Sequence, residues 1–370
     1  MKLIGGQGVK PGRLSELLTI ISFIVVLGVL VFIHEFGHYI TAKLVGIRVE
    51  EFALGFGPKI ISKKYGDTVY SIRGVPLGGF CQMTGEALSD DMSEEERAVY
   101  EEARKKGQAF DQKPAWQRFA VIFNGPLLNL VLAALIFTLI FALYGIAVES
   151  KDTNIIGDVI PGTPAAEAGL RPGDRIIEID GHKIEKWEDL ARMIHSSANK
   201  QLLIKYERKN QLFTTTVTPV IMEGRDDALI GILSQVVRER VSIFTALKLG
   251  FLQTISYIIA MFKAIGSMIT GKMAVEIGGP VMIATMVGQA SEIGFSSLLN
   301  LTAILSLNLG IFNLLPFPAL DGGKLVFIIY EMIRRKPFPP EKENMVHVIG
   351  FTILIIFMIL VIIKDISRFF

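Results

Sequence analysis

The sequence predicts a polytopic α-helical membrane protein of about four spans, with a β-hairpin and an inserted α+β domain. Three observations predict it. Apolar residues make up 51% of the 370 positions and are gathered into long blocks rather than spread evenly. One stretch, 150–225, is different material, with mixed charge, short strand-like runs and Gly/Pro turns. A hairpin pattern, KIISKKYGDTVYSI at 59–72, lies between the first two apolar blocks. The net charge of +2 gives nucleic-acid binding no electrostatic support, so no nucleic-acid partner is expected.

The first block, 17–33 (LLTIISFIVVLGVLVFI), continues helically through HEFGHYITAKLVG and is long enough for a hydrocarbon core of roughly 30 Å. It is too long, and too polar at its end, for a cleavable signal peptide. In the loop that follows, SDDMSEEERAVYEEARKK (89–106) reads as a solvated helix, acidic at its start and basic at its end. The second block is 120–148, the third 297–320 and the fourth 345–363. Residues 243–269 carry Lys248, Gln253, Ser256 and Lys263 and read as an amphipathic helix lying at the membrane interface or packed on the bundle rather than a fifth span. Lys and Arg concentrate between spans one and two and at 334–336 after span three, which places both loops in the cytoplasm and 149–242 outside. The single cysteine, Cys81, has no disulfide partner and reads as a small buried apolar residue.

VFIHEFGHYI, at 31–40, puts three ionisable groups into an apolar span, where each is costly unless compensated. Positions i and i+4 share a helix face, so His34 and His38 can aim nitrogens at one tetrahedral Zn²⁺. Glu35 lies beside them as the base for a metal-activated water, and Gly37 offers room for another segment to approach. Such sites use three protein ligands. The other histidines, His182, His195 and His347, fall in or near segments expected outside. The better candidate is Asp321 in NLLPFPALDGG (313–323), where prolines break the third span and free backbone groups that must line a wet cavity.

The pairing of HEFGH with NLLPFPALDGG resembles the site-2 protease family of intramembrane zinc metalloproteases, in its bacterial form. The ordered set spans nearly the whole chain: HExxH, GFGPKI and PLGGF, FNGPLLN, a PDZ-like stretch with GLRPGDRIIEIDG, GGP at 278–280, and NxxPxPxLDGG. The resemblance implies Zn²⁺ on His34, His38 and Asp321, Glu35 as general base, and Asn313 in substrate handling, with Asn308 contributing. It implies a membrane-associated β-loop at 59–72 that holds substrate by strand addition, and a PDZ-like domain that binds peptide or filters bulky substrates. The implied partners are the lipid bilayer and membrane-protein substrates such as anti-sigma factors or signal-peptide remnants. The implied site is a bacterial cytoplasmic membrane, with the catalytic centre toward the cytoplasm. The expected division is 1–46, first span; 47–118, hairpin loop; 119–148, second span; 149–225, PDZ-like domain; 226–280, linker and amphipathic helix; 281–336, third transmembrane segment; 337–370, fourth span. Some relatives have histidine where Lys324 stands, and Lys324 is not expected to ligate. Two other classes fit parts of the sequence. Against a membrane scaffold with a relict site stand the intact His34, Glu35, His38 and Asp321; a transporter would show matched repeats, which are absent.

Overall fold

The computed structural model describes residues 13–86, 92–149, 154–221, 228–271 and 278–369. The chain divides into two compact units, Met1–Ala142 with Ser242–Phe370, and Leu143–Val241.

Helix α1 (Arg13–Leu44) carries the first apolar block. It stops at Gly46, in the left-handed region at φ +71°. The Ile47 N–H donates to the Ala42 carbonyl and the Gly46 N–H to that of Lys43, a Schellman closure that turns the chain into the hairpin. Strands β1 (Val49–Tyr65) and β2 (Thr68–Met83) pair antiparallel around Gly66–Asp67. The pairing runs well past the expected 59–72, from Tyr65↔Thr68 back to Val49↔Met83. The Gly and Pro residues that interrupt the sequence pattern are absorbed as register irregularities instead of ending the ladder. The base of the hairpin is buried: Val49, Phe52, Cys81 and Met83 join Ala42, Ile47, Val121, Ile122 and Leu325 in one cluster. The tip exposes Phe56, Ile60, Ile61 and Tyr65. Burial raises the carboxyl pKa of Glu51, but bonds from Ser71, Arg73 and Lys59 outweigh it and hold the group below its ordinary value.

Helix α2 (Glu94–Lys105) opens on a Ser93/Glu96 capping box; the expected start at 89–91 lies outside the described residues. Helix α3 (Ala115–Tyr144) contains Pro126, which has no N–H to return to the Ile122 carbonyl.

The second unit holds β3 (Ile146–Glu149), β4 (Ile156–Val159), α4 (Pro164–Glu167), β5 (Arg175–Ile179), β6 (His182–Lys183), α5 (Trp187–His195), β7 (Leu202–Arg208), β8 (Gln211–Val217), β9 (Val220–Ile221), β10 (Ala228–Leu229), β11 (Ile232–Ser234) and β12 (Val236–Glu239). A four-stranded antiparallel sheet, β6-β5-β7-β8, is flanked by the pairs β4–β11, β3–β12 and β9–β10. Its core is aliphatic, centred on Ile156, Ile176, Ile179, Leu190 and Ile204. Buried Asp174 is held by the Arg208 guanidinium. The unit is wider than the expected 149–225. The downstream strands β11 and β12 return to pair with β4 and β3, and no composition shift announces this long-range pairing.

The first unit resumes with α6 (Ile243–Ile269), α7 (Pro280–Ile293), α8 (Phe295–Leu314), α9 (Asp321–Arg334) and α10 (Pro340–Phe369). Helix α7 is an addition to the expected elements; Pro280 opens it, and the Met282 N–H donates to Asp365 of α10. The third apolar block ends as a helix at Leu314, before Pro316 and Pro318, and a new helix begins at Asp321. Among the described residues, five helices are long and apolar enough to cross a membrane: Glu16–Leu44, Ala115–Tyr144, Ile243–Met268, Phe295–Leu314 and Glu341–Ser367.

Candidate metal centre

Close backbone contact builds the site. A Cβ on Gly37 of α1 would lie 2.7 Å from Gly125 Cα of α3, so these two helices touch without side chains between them. Asn124 secures the crossing by donating to Thr41 Oγ1 at 2.6 Å. Gly125 leaves space for His38, since a Cβ there would meet the imidazole, its Cδ2 at 2.8 Å. The double glycine after Asp321 has a matching role. A Cβ on Gly322 would meet the Leu314 carbonyl group, and one on Gly323 the Phe317 carbonyl group, so the first turn of α9 can lie directly on the end of α8.

The result is convergence. Asp321 Oδ2 lies 3.1 Å from His34 Nε2 and 3.4 Å from His38 Nε2, and the two nitrogens are 3.4 Å apart. Both histidines are buried. Asp321 Oδ2 is buried with no hydrogen-bond partner among the described residues. Bonds of about 2.0–2.1 Å at tetrahedral angles put ligand atoms about 3.3 Å apart. Three converging ligand atoms at that spacing, one of them an orphaned carboxylate oxygen, fit a Zn²⁺-type ion.

The imidazoles are oriented from behind. His38 Nδ1–H donates to the Val121 carbonyl at 2.9 Å, which leaves its Nε2 lone pair for a metal. His34 Nδ1 lies 3.2 Å from the Asn129 side-chain amide nitrogen. With the NH₂ facing it, the imidazole proton sits on Nε2. A flip of the amide presents Asn129 Oδ1, which otherwise has no partner among the described residues, to an Nδ1–H and frees Nε2. Binding a metal at His34 is thus coupled to the orientation of Asn129.

His34, His38 and Asp321 line a cavity of about 450 Å³ with Glu35, the β2 residues Phe80, Cys81, Gln82 and Met83, and Glu86, Ile122, Ala319 and Lys324. Glu35 therefore faces the same space as the ligand atoms. A sequence model of peptidase family M50 matches residues 22–357. The chain belongs to that family. It is 35% identical to "Zinc metalloprotease RasP" of Geobacillus kaustophilus over 95% of this chain and 98% of that one. It is 36% identical to "Probable protease eep" of Enterococcus faecalis over 95% and 99%. A solved PDZ domain of an SdrC-like protein from Listeria monocytogenes aligns at 26% identity with TM-score 0.21, over 22% of this chain and 85% of that domain.

In this M50 peptidase the other expected residues are placed differently. Asn308 lines a separate apolar cavity of about 260 Å³ with Tyr257, Met261, Ala264 and Ile304, between α6 and α8. Asn313 is half-buried near the end of α8, and neither asparagine lines the cavity at His34. His347, expected in or near a segment outside, instead packs against Ala319, two residues from Asp321. Burial pushes the Cys81 thiol above its ordinary value, so it lines the cavity as a neutral thiol rather than a competing thiolate. Lys324 pairs with Glu86 instead of joining the ligands. Asn129 and Gly125 escaped the sequence reading, although both stand in the FNGPLLN stretch. The usable signal was an amide in the middle of an apolar span.

Gly125→Ala should separate site geometry from stability. Alanine favours the helix by up to about 1 kcal/mol, while its methyl displaces a ligand imidazole. The expected result is a 10- to 100-fold loss of turnover, the range seen when a ligand's support is removed, in a protein that still folds, because the helix gain offsets part of the ~1–3 kcal/mol that overpacking costs. Wild-type turnover would sink the packing argument.

Proposed function

We propose that the chain is a zinc-dependent intramembrane endopeptidase that hydrolyses peptide bonds in or near the membrane-spanning segments of membrane proteins. The observation that carries the reading is the meeting of His34, His38 and Asp321 around one point beside Glu35, inside a helix apolar enough to span a bilayer. His34, His38 and Asp321 would hold a zinc ion, which would supply Lewis-acid chemistry at this point by acidifying water and polarising the scissile carbonyl. Glu35 takes the proton of the attacking water and delivers it to the departing amine. Residues 80–83 of β2 form one wall of the cavity and offer backbone groups to an extended substrate. A helical substrate must unwind first, because its carbonyls are engaged in its own hydrogen bonds.

We read α1, α3, α8 and α10 as the crossings and α6 as lying on the bundle. Arg118 pairs with Glu331, and Lys324 with Glu86, so the segment after α8 sits on the same side as the loop between α1 and α3. A crossing by α6 would then require α7, of 14 residues, to cross back, which is short of the ~20 a bilayer needs. The Lys and Arg of these loops favour the cytoplasmic side of the membrane. The exposed apolar hairpin tip suits contact with lipid or with an apolar substrate. The 143–241 unit serves as a PDZ-like module outside.

The test is cleavage of a model transmembrane peptide by the purified full chain in detergent, before and after removal of metal by a chelator. Cleavage should vanish with the metal and return with added Zn²⁺. Equal cleavage by the metal-free protein would overturn the reading.

A further inference from the structure

We propose that His347, with Gly350 beside it on α10, is a positioning residue for Asp321: together they clamp the loop 315–320 in the conformation that brings the carboxylate to the two histidines. The inference rests on the reading of Asp321 as a metal ligand.

Few hydrogen bonds hold the loop otherwise, although Leu315 and Phe317 abut the glycines of α9. Pro316 and Pro318 remove two backbone donors, and its internal bonds are short-range, from Phe317 N–H to Leu315 O at 2.7 Å and from Leu320 N–H to Phe317 O at 3.2 Å. Ala319 stands at φ +75°, in the left-handed region that a residue with a Cβ occupies at a cost. That N–H donates to His347 Nδ1 at 2.9 Å. The bond therefore holds the strained residue two positions before the ligand, and Ala319 itself lines the metal cavity.

The same face of α10 makes a second contact. Gly350, three residues on from His347, abuts Pro318, and a Cβ there would lie 2.7 Å from the Pro318 carbonyl oxygen. The imidazole ring rests on Phe327 of α9, centroids 5.7 Å apart. Its Nε2 is buried without a partner among the described residues. With Nδ1 accepting, the ring proton lies on Nε2 as that orphaned donor, and the hydrogen bond the imidazole makes among the described residues is the one to Ala319. Apart from Asp365, which packs on the start of α7, most of the apolar residues of α10 are exposed, so the contacts with the loop are among the few that seat this helix.

The experiment measures zinc affinity by competition with a chromophoric chelator, alongside kcat and KM for a transmembrane peptide, on the full chain in detergent. His347→Ala should weaken zinc binding about tenfold or more, as loss of a ligand's support does, and lower kcat with little change in KM. His347→Asn, whose Oδ1 sits near the position of Nδ1, should recover most of both. Ala319→Gly should recover part of both in the His347→Ala background, because glycine adopts the positive φ without the clamp. Gly350→Ala keeps every polar group and should reproduce the loss by displacing Pro318, which covers the case in which His347→Ala fails to fold. Wild-type affinity in both His347→Ala and Gly350→Ala overturns the clamp. So does a His347→Asn variant no better than His347→Ala with no relief from Ala319→Gly. Wild-type affinity in Asp321→Asn would instead strike the metal centre itself.

Discussion

Glu35→Gln is expected to leave zinc bound and to lower kcat by about 10²- to 10⁴-fold, the usual contribution of a positioned general base. Glu35 lines the cavity with the ligands, yet the converging ligand atoms are those of His34, His38 and Asp321. An amide in its place matches the carboxylate in shape but cannot take a proton. Metal content and peptide cleavage on the same preparation check this. A variant that retains zinc and still cuts at the wild-type rate would remove Glu35 from the mechanism. A variant that loses zinc would mean that Glu35 helps hold the ion.

The division between what the sequence shows and what it hides follows the range of the interactions. His34 and His38 are fixed by helix periodicity alone, so their pairing can be read from four residues of spacing. Asp321 is legible for a different reason: two prolines and a double glycine mark a broken helix whose freed groups need a polar cavity. Gly322 and Gly323 then find their cause in the close seat of α9 on α8. The residues that orient the ligands left weaker traces. The Val121 carbonyl that fixes His38 carries no side-chain signal at all. Asn129 and His347 act across helices distant in sequence, and helix pairing is not encoded in local pattern. The hairpin is legible at its turn and illegible at its base, because bulges let pairing continue through glycines and two prolines, Pro58 and Pro76, that end most strands. The return of β11 and β12 to the start of the second unit was hidden for the same reason as the helix contacts.

Asp321→Asn is expected to lower zinc affinity by more than the 10- to 100-fold typical of residues that only support a ligand, and to reduce cleavage to the level of chelated wild type. The substitution keeps the size of the side chain and removes its charge, so it tests the ligand rather than the fold. It carries a second expectation. In the metal-free protein Asp321 Oδ2 lies 3.1 Å and 3.4 Å from the two imidazole nitrogens, so the carboxylate is the charge partner of the histidines there. The metal-free variant, which removes that charge, should therefore melt no higher than the metal-free wild type. Zinc should raise the wild-type melting temperature by mass action on the folded state, and should barely move that of the variant. Asp321→Glu should not rescue. The glycines that follow fix the backbone against α8, and one added methylene carries the oxygen past a site whose ligand atoms already lie 3.1–3.4 Å apart. Melting curves with and without zinc, run beside chelator competition, read the wild type and both variants. Equal zinc-induced shifts in wild type and Asp321→Asn would show that the aspartate is a neighbour of the metal and not its ligand.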